Sequence, residues 1–434
     1  MSIWLSLAFA SAWSRRTALM LVIFSVSVSV TLLLLVAQIR ADARTSFSNA
    51  VSGIDLIVGP RGSPTELLMY SVFQLGRPTR NLSATAEAEV GNINGVRWVL
   101  PLQLGDSYRG HAVWGTRAAF FDRFRVRGQP LEWAEGRGFR DPTQAGIGAV
   151  FEVALGSDLA RKFGHRLGDS VVLTHGAGGP LAQQHSQTPF TVVGVLAPTG
   201  GPIDRAALIS VEGFEAIHLG WGVGPFQGLG GRMLGEASAP QITSIQALTP
   251  AEFTSLLVGL ESRTQVFSVR RAIEAISREP LMAILPGVAL DDLWRVLAVG
   301  ENSLLLVGGL VALASVMSVS AVLLVSLSVR RREFAVLRAI GARPQGLLLM
   351  VLLEALLVCS AGLILGTLVQ QLLVMAASDW MRVEFGIVLE ALRIPAEGWW
   401  ALLAVFVLSV AASLFPAVRA YHLSLQDGLN PPHA

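Results

Sequence analysis

The sequence predicts a polytopic α-helical membrane protein: four transmembrane helices plus one large α/β domain outside the cytoplasm, carried on a helical stalk. Three observations lead there. Hydrophobic residues fill 52% of the 434 positions and charged residues only 15%, against about 25% charged in ordinary soluble domains. Four stretches stay apolar for the ~20 residues a helix needs to cross a bilayer. The long segment between the first two mixes short β-branched runs with stretches of helical periodicity.

The first span, 17–39, is bracketed by Arg15, Arg16 and Arg40, after a short cytoplasmic or interfacial helix at 1–16. The second, 303–329, ends at Arg330-Arg331-Arg332. The third, 347–376, is interrupted only by Glu354, Gln370 and Gln371, and the fourth, 399–418, opens with Trp399-Trp400 and ends at Arg419. Trp at the interface and Arg at the ends are the expected anchors. The first span has a rival reading, because Ser14-Arg15-Arg16 ahead of it and Ala41-Asp42-Ala43 behind it loosely resemble a cleaved twin-arginine signal. An apolar run over 17–39 is too long for a signal core of 7–15 residues. Length favours a retained span.

Charge sets the orientation. The segment 330–346 carries Arg330, Arg331, Arg332, Arg338 and Arg343 against Glu333 alone, and the N-terminal tail holds Arg15 and Arg16 with no acid. The segment 377–398 is mixed, with Arg382 and Arg393 against Asp379, Glu384, Glu390 and Glu397. The positive-inside rule places 1–16, 330–346 and 419–434 in the cytoplasm, and 40–301 and 377–398 outside.

The outer segment must stand on its own core, since the lone cysteine, Cys359, falls in an apolar run and no intramolecular disulfide can form. At roughly 260 residues it is large enough to do so. Ile54–Val58 reads as a strand closed by Gly59-Pro60-Arg61-Gly62, and Ser157–Phe163 as a short helix. Val171–Thr174 and Phe190–Leu196 read as strands, the latter stopped by Pro198-Thr199-Gly200-Gly201-Pro202. Glu252–Ile276 follows a helical pattern. After Pro286-Gly287, residues Leu290, Leu293, Trp294 and Leu297 mark an amphipathic helix leading into the second span. With Ala41–Ala50 behind the first span, it forms the expected stalk.

Motifs for catalysis are missing. A net charge of +2 leaves no nucleic-acid footprint. A phosphate loop needs a Gly-Lys pair, and the only lysine, Lys162, lies between Arg161 and Phe163. Leu159 rules out a Ser-x-x-Lys nucleophile, and neither Gly-x-Ser-x-Gly nor His-Glu-x-x-His occurs. No catalytic residue, no bound cofactor and no ATP hydrolysis by this chain alone are expected.

Histidine is the remaining chemistry. Five of the seven (His111, His165, His175, His185 and His218) belong to the outer segment, and His175 and His185 flank the Gly-rich stretch Gly176–Gly179. Neutral imidazoles suit zinc, but without cysteine or regular ligand spacing these read as scattered loop histidines. No metal site is assigned; His175 and His185 are the candidates. Glu354 lies about 10 Å into the third span, where a carboxylate is a functional candidate by default. The bland reading is that it snorkels or pairs with a cytoplasmic arginine, and that shallow depth favours pairing. Gly308, Gly309 and Ala312 permit close helix approach, either to a partner helix or within the same chain.

The most specific stretch is Arg331-Arg332-Glu333-Phe334-Ala335-Val336-Leu337-Arg338-Ala339-Ile340-Gly341-Ala342-Arg343-Pro344, with Glu354-Ala355-Leu356 following. It resembles the signature of MacB/FtsX-type ABC transporter permeases, of the lipoprotein-releasing-like kind without a fused ATPase domain. Pro416-Ala417-Val418-Arg419-Ala420, then Leu423 and Leu429, resembles that family's ending. Leu155-Gly156-Ser157-Asp158-Leu159-Ala160, Leu167-Gly168-Asp169 and Val192–Leu196 resemble its periplasmic domain. Asp55–Pro64 points to a subgroup to which the likeness attaches no substrate.

The resemblance implies a multi-pass protein of the bacterial inner membrane with a periplasmic domain. It implies a coupling helix in which Arg332, Glu333, Phe334, Val336, Leu337, Arg338, Ile340 and Gly341 dock on an ABC ATPase. Two copies of that ATPase would bind the ATP and Mg. A second permease copy or paralogue, and a periplasmic adaptor or binding protein, are the other implied partners. The apolar residues between the arginines fit a docking helix better than an ordinary basic loop. Three functions stay open: a permease powering export, extraction or relocation of a substrate; a regulator of a periplasmic partner such as a cell-wall hydrolase; and a metal-uptake accessory resting on the histidines.

Overall fold

The computed structural model describes residues 16–76, 78–176, 185–219, 244–329, 336 and 343–426. They divide into two compact units: a membrane unit within Met1–Ala43, Leu297–Met381 and Val388–Ala434, and an external unit of Arg44–Val296 with Arg382–Ile387.

Four long helices, Arg16–Ala50, Pro286–Val329, Pro344–Phe385 and Ala396–Gln426, contain the four expected spans. In the membrane unit the first helix buries Leu19, Val22, Val26, Val30 and Leu34, one stripe at a spacing of three to four. They meet Ala312, Val319 and Leu323 of the second helix, Ala355 and Val358 of the third and Val405 of the fourth. Lipid is as apolar as leucine, so close packing and interhelical hydrogen bonds must hold such helices together. Both are present. A Cβ added to Gly362 would lie 2.7 Å from Val26 Cγ1, and one on Gly366 2.7 Å from the Ser27 carbonyl oxygen. Thr31 Oγ1 donates to the Gly366 carbonyl at 2.9 Å, and the Ser29 and Ser315 hydroxyls meet at 2.5 Å.

The external unit is built on two main sheets. In chain order their strands are β1 (Leu56–Pro60), β2 (Val96–Leu102), β3 (Asp106–Tyr108), β4 (His111–Thr116), β5 (Trp133–Gly136) and β6 (Glu152–Leu155). They continue as β7 (Ser170–Val171), β8 (Thr174–His175), β9 (Phe190–Leu196), β10 (Ala207–Ser210), β11 (Ser255–Leu260) and β12 (Leu281–Ile284). One sheet is antiparallel, in the order β12-β1-β11-β2. The other is mixed, in the order β7-β9-β6-β10-β4-β3-β8, with β5 also paired to β9.

The two-residue strand period sorts side chains between faces. Ile57 and Leu257 of the first sheet share one core with Ala154 and Leu208 of the second. Their neighbours Leu56, Val58, Leu256 and Val258 face the helix Val266–Glu274 through Val269 and Ile273. Val153, Leu155, Ala207 and Ile209 face the helices Ser157–Phe163 and Val211–His218. Strands β7 and β8 lie at opposite ends of their sheet yet are only two residues apart in sequence. The sheet therefore curls until its ends come within about 10 Å.

The stalk segments belong to this unit from Arg44 and up to Val296. Ala50, Ala289 and Leu290 are buried in the central core. Phe47 packs on Phe73 at 4.6 Å and on Trp294 at 5.6 Å between ring centroids, with the Arg44 guanidinium 5.4 Å from the Trp294 ring.

Three sequence expectations change. The helical pattern over Glu252–Ile276 hides strand β11, and only Val266–Glu274 is an α-helix. All six residues of β11 are buried, so its apolar run has no alternation to reveal a strand. Val171–Thr174 is two short strands, β7 and β8, rather than one. The first strand begins at Leu56 instead of Ile54 and runs on to Pro60.

Candidate functional site

A cluster of Asp106, His175, His185 and His218 lies in the external unit, its donor atoms all within 4.8 Å of one another. Strand pairing supplies two members, because β8 runs antiparallel to β3 with His175 directly opposite Asp106. Residues opposite one another in a pair carry their side chains on one face. Gly176, at φ +73°, turns the chain just after His175, and its N–H donates to the Gly105 carbonyl at 3.0 Å. His185 returns to the site through a hydrogen bond from its N–H to the Leu173 carbonyl at 2.9 Å. His218 is the last residue of its helix, which Ser210 caps by accepting from Gly213 N–H.

His175 Nδ1 stands 3.0 Å from Asp106 Oδ1. His218 Nε2 stands 3.3 Å from His175 Nδ1 and 3.4 Å from Asp106 Oδ2. The three imidazoles meet edge to face, with centroids 5.3 to 6.2 Å apart. His218 Nδ1–H donates to the Phe214 carbonyl at 2.7 Å. A carbonyl can only accept, so this bond fixes the proton on Nδ1. In the neutral ring the Nε2 lone pair then faces the cluster.

Electrostatics favours a charged carboxylate here. Burial pushes Asp106 up, but hydrogen bonds from His175 and His218 outweigh it and hold the carboxyl at about 2. Burial also opposes protonation of His218, yet its bond to Asp106 prevails and raises it. His185 is only 6% exposed, and burial drives its protonation downward. An anionic carboxylate gathered with three imidazoles is a donor set for a cation.

Sequence reasoning singles out His175 and His185, and the fold brings them together. Reading the histidines as scattered does not hold for this trio. The sequence gives no hint of Asp106 and does not group His218 with the others, since they lie 69 and 43 positions from His175. The only signal present is a short polar strand opposite Thr174-His175.

The other candidates lie in the membrane unit or beyond the described residues. Gly308 faces the first helix of its own chain, where an added Cβ would lie 2.8 Å from Leu33 Cδ2. Ala312 is buried in the same packing, whereas Gly309 faces open space. Glu354 is 1% exposed and has a partner, so it does not snorkel outward. Of the expected coupling helix, Val336 is helical and 62% exposed. Arg332, Glu333, Phe334, Leu337, Arg338, Ile340 and Gly341 lie outside the described residues.

Residues 17–276 match the MacB-like periplasmic core domain, and residues 305–425 the FtsX-like permease C-terminal domain. The chain belongs to the MacB/FtsX family of permeases. It is an ABC transporter permease of the inner membrane, multi-pass, with a periplasmic domain. Over 120 residues this permease is 32% identical to the macrolide export ATP-binding/permease protein MacB of Campylobacter jejuni, in both strain 81-176 and strain NCTC 11168. That stretch is 28% of this chain and spans only 17% of each relative. The periplasmic region of MacB from Actinobacillus actinomycetemcomitans aligns at a TM-score of 0.34 and 12% identity, over 57% of this chain and 97% of that one. The extracellular domain of the noncanonic ABC-type transporter YknZ from Gram-positive bacteria aligns at 0.30 and 16%, over 53% and 98%.

Proposed function

We propose that this permease transmits the ATP cycle of a separate ABC ATPase subunit to its periplasmic domain, which performs export, extraction or relocation of a substrate there. One observation carries the reading. The helices Arg16–Ala50 and Pro286–Val329 each continue without a break from an apolar, span-length stretch to residues buried in the periplasmic core, Ala50 on one and Ala289 and Leu290 on the other. A continuous helix is stiff along its axis, so a displacement at one end is carried to the other. In this mechanism the substrate need not pass between the spans. Two ATPase copies bind the ATP and Mg, and two permeases, identical or paralogous, complete the assembly. A periplasmic adaptor or binding protein receives the motion.

Purification from native membranes under mild detergent tests this. An ABC ATPase should co-elute in a one-to-one ratio with the permease, and its hydrolysis should rise when the pair is reconstituted in lipid. Isolation of the permease in quantity with no ATPase at any salt concentration contradicts it.

A further inference from the structure

We propose that Asp106, His175, His185 and His218 form a binding site for one late first-row divalent cation of zinc type in the periplasmic domain. Geometry supports this first. Zinc takes four ligands at about 2.0–2.2 Å in a tetrahedron, whose edges are then about 3.3–3.6 Å. His175 Nδ1 stands 3.0 Å from Asp106 Oδ1 and 3.3 Å from His218 Nε2, both close to that edge, and the other carboxylate oxygen, Oδ2, is 3.4 Å from His218 Nε2. With every donor inside 4.8 Å of the rest, no pair must close by more than about 1.5 Å, within reach of a rotamer adjustment.

The donors are imidazole nitrogen and carboxylate oxygen, a set that suits zinc, while the all-oxygen shells of calcium and magnesium do not fit it. The outer contacts are those a metal ligand needs. His218 gives its Nδ1–H to the Phe214 carbonyl, which orients the ring and directs Nε2 inward. Cysteine is not required, because the site is held by strand pairing, a helix end and the return of the chain at His185. Four protein ligands fill the tetrahedron, so the site retains a cation and leaves no open position to activate water. The metal would fasten the end of helix Val211–His218 to strands β3 and β8. None of this depends on the coupling to an ATPase.

The experiment uses the full-length permease in detergent, stripped with a chelator and titrated with zinc alone, then separately with Co(II). One zinc per chain should bind, and Co(II) should give the intense visible absorption of a tetrahedral site. Asp106→Asn and His218→Ala should each weaken zinc binding by about a hundredfold or more, while His111→Ala, outside the cluster, should leave it unchanged. Circular dichroism identifies any variant that fails to fold. The unmodified protein is a test independent of the variants: failure to retain zinc, or the weak Co(II) spectrum of a six-coordinate site, overturns the proposal. Zinc binding by folded Asp106→Asn and His218→Ala at unmodified strength overturns it as well.

Discussion

Glu152 opens strand β6 with a side chain only 6% exposed, yet it is charged. Arg137 clamps it through two bonds of 2.8 and 2.9 Å, and Arg140 adds its backbone N–H at 2.9 Å and guanidinium bonds down to 2.6 Å. Burial raises the carboxyl, but these donors overcome it and hold it at about 2, below its ordinary 4.5. A depressed folded value means stability that is present above about pH 4.5 and lost as pH falls toward 2. Glu152→Gln should cost about 2 kcal/mol at neutral pH, below the figure for a fully buried pair because both guanidiniums are half exposed. Chemical unfolding of both proteins from pH 7 to pH 2 should show that gap shrinking with acidity; a constant gap refutes the assignment. Such a residue is invisible in sequence, where an acid fifteen positions from one arginine and twelve from another has no signature. The cluster of Asp106, His175, His185 and His218 is hidden for the same reason. His175 and His185 are near neighbours in the chain, but Asp106 joins them only through strand register and His218 only through a helix end.

The long helices are the most legible elements, since 20 apolar residues admit few other structures. Their packing is only partly so. The small residues of the second span draw attention to Gly308 and Ala312, but an equally close crossing is made by Gly362 and Gly366 of the third helix, a Gly-x-x-x-Gly pair. Gly362→Leu should lower stability by about 1–3 kcal/mol or more, because Val26 leaves no room for a side chain. Gly309→Leu, facing open space, should stay within about 0.5 kcal/mol. Thermal melting in detergent separates the two, and equal melting temperatures would contradict the described helix face. Among the strands, Phe190–Leu196 is legible because its burial alternates along the run. Strand β11, buried on both faces, mimics a helix in sequence because a doubly covered strand loses that alternation.

At the scale of the whole molecule the four span-length helices, the periplasmic domain and the family are all legible. Charge bias, span length and one basic-apolar loop each constrain the chain globally, and none depends on side-chain placement. The function proposed for this permease turns on the loop at 330–346, through which it would take energy from a separate ATPase. If Glu333–Ile340 docks as a helix, Leu337 is an apolar anchor, and truncating such an anchor costs about 2 kcal/mol or more. Glu333 would pair with the ATPase, and reversing its charge strands the partner at comparable cost. The decisive measurement is ATPase stimulation by the reconstituted permease, read alongside co-purification. Leu337→Ala and Glu333→Arg should abolish most of the stimulation while leaving membrane insertion intact, and Arg331→Ala should behave like the unmodified chain. Full binding and full stimulation by both coupling-loop variants would contradict energy transfer through this loop and leave it a basic segment that only sets topology.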